Sequence, residues 1–539
     1  MQGMDDTTKS SSSDTKGDTE STSPDSSPAN LHSSIHAEVK RIENVFEKGL
    51  KKYSAAEITI FGFACAILIG SLTLYLIENL SDNPLGYIDA LFMSTSAICV
   101  TGLTPVDFSA FTFAGQIVVM LLIQIGGFGV VTAFRLLWIG RSSDLSPGSA
   151  QTLGSVMDVD GGHQTVLQVL ASTAKITLAV EIVGCVVLYF HMKETIDSPL
   201  WFSIFHTISA FNNAGFGLNA DSLVQFRSDV FLNLIITGLI IFGGIGYPVL
   251  LGIEQFFLMT LHKVLGFSEA LMEMVAIRKP ERLSLVEPFY NFVDRLYVRA
   301  KKIKEELAGV ASPLQMKIVI YGTLFLIFSG MLFTLFFEWS DEKTLAPLSL
   351  ADKVLVSFFH SVSARTAGFN TIDIGALQIR TLLFFILLMF VGAAPQGTAG
   401  GIKIPTFVTM LGYIRSSFRG RSRVTVFNYI VSRTSVGNAV KLYVLSSTFV
   451  LGIILLMSVI EVKFSLVQMA FEVVSAFGTV GLSTGITILL TSSSKILLVF
   501  TMFIGRVGLL TIGSAIIKPT DEVTAAAAQR DDGMKLQIG

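Results

Sequence analysis

From about residue 57 the chain alternates long apolar runs with short polar joints. Eight runs, near 57–79, 109–139, 165–190, 229–260, 314–337, 378–412, 437–460 and 490–517, are each long enough as helices to cross about 30 Å of hydrocarbon. Four shorter apolar pieces, near 87–98, 200–211, 350–364 and 465–477, each fall between one span and the next in the same phase. They are too short to span and read as re-entrant half-helices, which membranes tolerate where protein shields them or a wet cavity runs beside them. Ahead of the first span, Ile35, Val39, Ile42, Val45, Phe46 and Leu50 recur at helical spacing with a basic end, which predicts an interfacial helix over 35–56. Residues 1–34 are dominated by Ser, Thr and Asp and read as a disordered cytosolic tail with no signal-peptide pattern.

Composition agrees with a membrane class. Of the 539 residues 51% are apolar and only 15% charged, against about 25% in an ordinary soluble domain. A net charge of −2 gives no reason to expect a nucleic-acid partner. Cys65, Cys99 and Cys185 lie in apolar stretches without metal-ligand spacing and read as packing residues. No phosphate-binding loop, HExxH or nucleophile motif is present, so the chain is not expected to be an enzyme.

Lys and Arg collect between spans four and five, from Lys263 to Lys304, and between spans six and seven, at Arg415, Arg419, Arg421, Arg423 and Arg433. By the positive-inside rule those loops, and with them both termini, are cytoplasmic. The opposite loops carry Asp82, Asp89, Asp197, Asp221, Asp229, Asp341 and Asp373, which suits either a cation-attracting mouth or ordinary solvated loops.

The short pieces end in four related strings: SAICVTGLTPVD, SAFNNAGFGLNAD, SARTAGFNTID and SAFGTVGLSTG. They align on Gly102, Gly215, Gly368 and Gly481, and each is preceded by Ser-Ala. A second glycine element follows each at 24 to 28 residues: Gly126-Gly127-Phe128-Gly129, Gly243-Gly244-Ile245-Gly246, Gly392-Ala393-Ala394 and Gly505-Arg506-Val507-Gly508. One such string means little; four in phase with four hydrophobic units define an internal repeat of span, short helix, loop, span. The second elements read mainly as close-packing glycines. The fold expected is therefore all-α and integral to the membrane, with four span/pore-helix/span repeats arranged pseudo-fourfold around one ion pore. The repeats occupy 57–140, 164–260, 314–415 and 436–518, a charged cytosolic insertion 261–313, and a C-terminal tail 519–539.

Four half-helices ending near the midplane would point partial negative charge at one cavity, and loop carbonyls could replace a cation's water shell. Turning successive carbonyls inward asks for positive φ, which glycine adopts cheaply. Val100, Thr101, Gly102; Asn213, Ala214, Gly215; Thr366, Ala367, Gly368; and Thr479, Val480, Gly481 are the expected selectivity filter, with K⁺ as its ion. The sixth span is broken by VGAAPQGTAGGIK, residues 391–403, an intramembrane loop that reads as a gate through Gly392, Gln396, Gly397, Thr398, Gly400 and Gly401. Arg506 stands alone in an apolar stretch, where an Arg is functional by default, and is expected to face the pore below the filter or to latch the loop's carbonyls. Lys403 is open between snorkelling, pairing and gating; Arg365 is expected to anchor its short helix. His206 and His360 read as packed polar groups, and Lys175, Glu181 and Glu254 as interfacial.

With TGLTPVD, NNAGF, RTAGFNTID, GTVGLSTG, the broken sixth span and GRVG in this order, the chain resembles the Trk/Ktr/HKT superfamily of potassium transporters over about residues 57–539, and most of all its KtrB-type membrane subunits. The resemblance implies a homodimer with one pore per subunit in the plasma (inner) membrane. It also implies a cytosolic nucleotide-binding regulatory subunit of the KtrA/TrkA type, no covalently bound cofactor, and Na⁺ as an ion that could couple or activate. In this family sodium permeation goes with Ser at the first filter glycine, so Gly102 favours potassium. Departures are the AAPQGTAGG loop, the tail and the 261–313 insertion. A Na⁺-permeable or Na⁺-coupled transporter and a non-conducting sensor or scaffold stay open as alternatives.

Overall fold

The computed structural model describes residues 53–81, 84–130, 163–253 and 312–516, with isolated positions at 260, 295 and 298. The expected tail, most of the interfacial helix, nearly all of the 261–313 insertion and the C-terminal tail lie outside the described residues. In chain order the helices are α1 Ala55–Asn79, α2 Tyr87–Ile98, α3 Phe113–Phe128, α4 His163–Met192, α5 Pro199–Phe211, α6 Val230–Gly244, α7 Pro313–Glu338, α8 Leu350–Ser363, α9 Ile379–Phe390, α10 Ile404–Phe418, α11 Arg433–Ile460, α12 Leu466–Gly478, α13 Ser492–Val507 and α14 Leu509–Ile516. Between α10 and α11 a two-residue-per-strand hairpin pairs β1 Thr425–Val426 with β2 Tyr429–Ile430 in antiparallel register.

Local chemistry sets the helix starts. Ser54 and Ser465 form reciprocal capping boxes with Glu57 and Gln468, and Ser312, Ser349, Ser432, Thr112, Thr491 and Asp229 each accept a hydrogen bond from the first turn of their helix. Buried ends need such acceptors because the first backbone N–H groups have no intrahelical partner.

The first helix of each unit has span length, and the second does not. Four helices, Ala56–Asn79, Ala171–Met192, Pro313–Glu338 and Arg433–Ile460, are long and apolar enough to cross a membrane. Their outward faces are greasy: Phe61, Phe325 and Val459 are 72%, 70% and 78% exposed. The second helices α3, α6, α9 and α13 have only 16, 15, 12 and 16 residues. Sixteen residues rise about 24 Å, short of the hydrocarbon thickness. The expectation of continuous spans is therefore corrected for 109–139, 229–260 and 490–517, whereas the sixth span stops at Phe390, where a break was expected. Runs 229–260 and 490–517, read as unbroken, stop at glycines. Gly129, Gly246 and Gly508 take φ of +80°, +79° and +90°, and the chain bends by 111° between Val230–Gly244 and a short helix Tyr247–Ile253. A left-handed residue ends an α-helix whatever its hydropathy, and only glycine does so without strain.

A repeated carboxylate ties the two helices of a unit. Glu78, at the end of α1, accepts from Thr112 N (3.2 Å) and Thr112 Oγ1 (2.7 Å) at the start of α3. Glu338, at the end of α7, accepts from Gln378 N (3.0 Å), Thr344 Oγ1 (2.7 Å) and Thr381 Oγ1 at the start of α9. Glu461, after α11, accepts from Thr491 N (2.7 Å). In the second unit His191 near the end of α4 pairs instead with Asp229, the cap of α6, at 2.7 Å. Of the acids expected at a mouth, Asp89 is paired with Lys495 (2.7 Å), Asp341 accepts from Gln378 Nε2, and Asp373 accepts from Gly375 N, so several of them do local structural work. Glu181 is corrected too. It sits mid-helix in α4, buried, and accepts from Gln124 Nε2 and Asn212 Nδ2 rather than reaching an interface.

Removing the Glu338 carboxylate strands three donors in a dry site. We expect Glu338→Ala to cost about 2–4 kcal/mol, against about 0.5 kcal/mol or less for the exposed neighbour Glu342→Ala. Thermal unfolding of the detergent-solubilised protein measures both.

Candidate functional site

Each short helix runs into a loop that turns left-handed twice. The glycines behave as expected: Gly102, Gly215, Gly368 and Gly481 have φ of +92°, +69°, +79° and +93°. Two residues earlier, Val100, Asn213, Thr366 and Thr479 are left-handed as well, at +57°, +58°, +73° and +48°. For a non-glycine residue that conformation costs about 1–2 kcal/mol, so something must impose it.

The repeated serine does so. Its carbonyl accepts the N–H of the residue before the glycine in every unit: Thr101 N to Ser96 O at 2.7 Å, Ala214 N to Ser209 O at 2.7 Å, Ala367 N to Ser363 O at 2.9 Å, and Val480 N to Ser475 O at 2.8 Å. Its hydroxyl holds the far side. Ser96 Oγ and Ser475 Oγ accept from Gly102 N (3.0 Å) and Gly481 N (3.1 Å), while Ser209 Oγ and Ser363 Oγ donate to Phe216 O (2.8 Å) and Phe369 O (2.5 Å). The serines are visible in the aligned strings; their role is not, because it depends on where the loop folds back.

The four loops meet one another. A Cβ built on Gly215 would lie 2.6 Å from Ala367 O, and one on Gly368 would lie 2.5 Å from Val480 O. Cβ atoms on Gly102 and Gly481 would collide with Ala214 O and Thr101 O. The neighbour order therefore closes on itself, 102 beside 215, 215 beside 368, 368 beside 481 and 481 beside 102, with each added Cβ 2.8–3.2 Å from the next glycine's Cα. All twelve expected loop residues are brought together here, and the eight that are not glycine are buried. The carbonyls of Thr101, Ala214, Ala367 and Val480 lie at this meeting point, at the C-terminal ends of α2, α5, α8 and α12. Convergent neutral oxygens backed by helix C-termini are chemistry for a dehydrated cation. No cluster of three or more His, Cys, Asp or Glu that could hold a metal occurs among the described residues.

The glycines of the second elements pack tightly against these helix ends. Side chains on Gly126, Gly243 and Gly505 would strike the carbonyls of Ile98, Phe211 and Phe477. In the third unit α9 stops at Phe390, and residues 391–403 run as irregular backbone. This loop is held on two sides. Ala394 N and Thr398 N donate to Gly244 O (3.0 Å) and Gly243 O (3.2 Å), and Gln396 O accepts from Tyr247 N (3.3 Å). On the other side a Cβ on Gly400 would meet the Thr479 side chain, and one on Gly401 would lie 3.2 Å from Gly478 Cα. The loop thus packs against the second and fourth units, where the backbone turns into its left-handed loops. Gln396 Nε2, Thr398 Oγ1, Thr101 Oγ1 and Thr479 Oγ1 are buried polar atoms without a hydrogen-bond partner among the described residues.

Arg506, in the last turn of α13, crosses this region. Its guanidinium donates to Thr398 O in the loop and to Gly126 O at the end of α3, the latter at 2.5 Å. Lys403 donates from Nζ to Ala399 O inside the same loop. Arg365 is buried, and His206 and His360 are fully buried on α5 and α8.

The chain matches the TrkH family, described as a cation transport protein, over residues 49–286 and 313–524. It is 34% identical over 466 residues to the Ktr system potassium uptake protein B of Bacillus subtilis (strain 168), covering 85% of this chain and 92% of that protein. It is 30% identical over 469 residues to the potassium/sodium uptake protein NtpJ of Enterococcus hirae, covering 86% and 92%. Its fold is similar to the crystal structure of the potassium transporter TrkH from Vibrio parahaemolyticus, with a TM-score of 0.60 at 16% identity, over 86% of this chain and 84% of that one.

Glycine is needed at the meeting point for two separable reasons, backbone conformation and space. Gly485 shares the conformation, with φ +87°, but nothing among the described residues lies within 4 Å of its missing Cβ. We expect Gly485→Ala to cost about 1 kcal/mol and Gly215→Ala about 3 kcal/mol or more, measured as loss of thermal stability.

Proposed function

We propose, for a chain that belongs to the TrkH cation transport family, that it is the potassium-translocating membrane subunit of a Ktr/Trk-type uptake system. The observation that carries this reading is the closed order of four glycine loops, each with a carbonyl against the next loop's glycine. In it the units stand pseudo-fourfold around one pore, and K⁺ loses its water to the carbonyls of the loops at 100–102, 213–215, 366–368 and 479–481. The four walls differ in side chain, so fewer well-ordered ion sites are expected than in a symmetric filter.

Below the filter the 391–403 loop is the gate, and Arg506 holds it closed by bonding Thr398 O and Gly126 O together. Thr398 offers its unpartnered hydroxyl oxygen to passing ions, and Gln396 lies beside it in the loop. Opening requires the guanidinium to leave at least one carbonyl. The basic loops between spans place both termini in the cytoplasm of a cell whose plasma membrane the subunit spans. By its relationship to Ktr proteins the subunit acts as a homodimer with a cytosolic nucleotide-binding partner of the KtrA/TrkA type, and Na⁺ is a candidate coupling ion. The name of the NtpJ relative favours a second reading, potassium and sodium uptake together; Gly102, where a serine would go with sodium permeation, favours potassium.

Uptake of K⁺ and Na⁺ in a transport-deficient host, with and without the candidate cytosolic partner, tests this. Gly102→Ser and Gly368→Ser are expected to lower the K⁺/Na⁺ ratio about tenfold, equivalent to about 1.4 kcal/mol of discrimination. An untouched ratio in both would remove the filter assignment. Arg506→Ala is expected to raise partner-independent flux by about fivefold or more, and flux and regulation like the parent's would end its role as latch.

A further inference from the structure

The repeated serines clamp the filter loops as far as the glycine or the residue after it, but the chain must also be held beyond that point. Three residues before each serine, one turn back along the short helix, stand Met93, His206, His360 and Glu472. Three residues after each glycine stand Pro105, Leu218, Thr371 and Thr484. In the third and fourth units these two positions meet.

In the fourth unit Glu472, fully buried in α12, accepts four hydrogen bonds from one short stretch of the exit strand. Its Oε1 takes Thr484 N and Ser483 Oγ, each at 2.8 Å, and Thr484 Oγ1 at 3.1 Å; its Oε2 takes Thr487 Oγ1 at 2.6 Å. In the third unit His360 does the same work with one bond. Its Nδ1 lies 2.9 Å from Val356 O, and its Nε2 lies 3.3 Å from Thr371 N. A carbonyl on one side and an N–H on the other require the neutral ring with the proton on Nδ1, leaving Nε2 to accept. In the second unit His206 bonds Phe202 O through Nδ1 (2.9 Å), while its buried Nε2 has no partner among the described residues. That atom nonetheless faces the exit strand, 3.6 Å from where a Cβ on Gly217 would be. In the first unit the acceptor is gone, since Met93 is apolar, and so is the donor, since Pro105 has no N–H.

A buried N–H has to be matched by an acceptor or removed. The third and fourth units supply an acceptor and the first removes the donor, while the second does neither, so the strength of the pin falls from four bonds to one to none. We propose that Glu472 and His360 are positioning residues for ion selectivity: they fix the exit strands of the fourth and third filter loops, so that this half of the carbonyl ring is the rigid half and the Gly102 and Gly215 half is the compliant one. The inference deepens the filter reading and rests on it. Carbonyls that cannot close in on a smaller ion discriminate against Na⁺, whereas carbonyls free to follow it do not. Glu472 acts through the backbone of Thr484 and not on the ion, so its loss should change discrimination between ions more than maximal rate.

The test measures K⁺ and Na⁺ uptake, as KM and maximal rate normalised to membrane abundance, for Glu472→Leu, Glu472→Gln, Thr487→Val and His360→Phe in the full-length chain. Glu472→Leu is expected to lower the K⁺/Na⁺ ratio of rate over KM about tenfold, with maximal K⁺ rate changed about threefold at most. Glu472→Gln keeps an oxygen for Thr484 N and should stay within about threefold of the parent. His360→Phe and Thr487→Val each remove one bond of the pin, together with one other bond, to Val356 O and to Ser483 Oγ respectively, and should lower the ratio by about two- to fivefold. Should Glu472→Leu fail to reach the membrane, Thr487→Val and His360→Phe decide the matter, because each breaks one bond of the pin where Glu472→Leu strands four. Unchanged ratios in the variants that reach the membrane, alongside a lowered ratio in Gly102→Ser, would overturn the pin and leave the filter standing. Unchanged ratios in all of them, Gly102→Ser included, would mean that the filter reading itself is wrong.

Discussion

Four backbones meet where no side chain fits, and much of the described structure can be derived from that constraint. A single Cβ at Gly102, Gly215, Gly368 or Gly481 would stand in the neighbouring loop's carbonyl or close to it. Such an approach brings peptide dipoles together in a region with little water, and it is stable only if each loop is held from behind. The serine clamps at 96, 209, 363 and 475 supply this at the entry of the loop. Glycines at 126, 243 and 505 then let the second helices of three units press on the ends of the short helices without intervening side chains. Shortness of those second helices follows, because the same elements that allow the contact also end the helix.

The units diverge where the constraint relaxes. In the third, α9 ends at Phe390, 22 residues after Gly368, whereas α3 and α13 run to 26 residues after Gly102 and Gly481, about one turn further, and an irregular loop takes the place of a packed helix end. That loop has to satisfy its backbone against something, and it does so on Gly243, Gly244 and Tyr247 of the second unit. A guanidinium from the fourth unit supplies the bond to Thr398 O. The carboxylate that joins the helices of a unit likewise recurs three times, at Glu78, Glu338 and Glu461, and is replaced once by His191 with Asp229.

Much of this was legible in the sequence. The four short apolar pieces are the helices α2, α5, α8 and α12, the break at 391–403 is irregular, and Arg506 does reach a carbonyl of that loop. Hydropathy and glycine spacing carry those features because they repeat. Three things were hidden for physical reasons. Left-handed Val100, Asn213, Thr366 and Thr479 break the usual residue preference, since tertiary bonds impose the conformation. Broken ends at Gly246 and Gly508 were masked by the apolar residues after them, to which a hydropathy window is blind. The pairings of Glu78 with Thr112 and Glu338 with Gln378 cross 34 and 40 positions, beyond any local pattern.

Arg506 joins two carbonyls and no carboxylate. The joint ties the loop of the third unit to the end of α3 in the first. It is also saturable by competition: the oxygens it holds are the kind a bare monovalent cation seeks, so cation and arginine are rivals for one set of ligands. In the proposed pore, an ion arriving at Thr398 O would weaken the bond that holds the loop, and occupancy of the pathway would act on the residue proposed to close it.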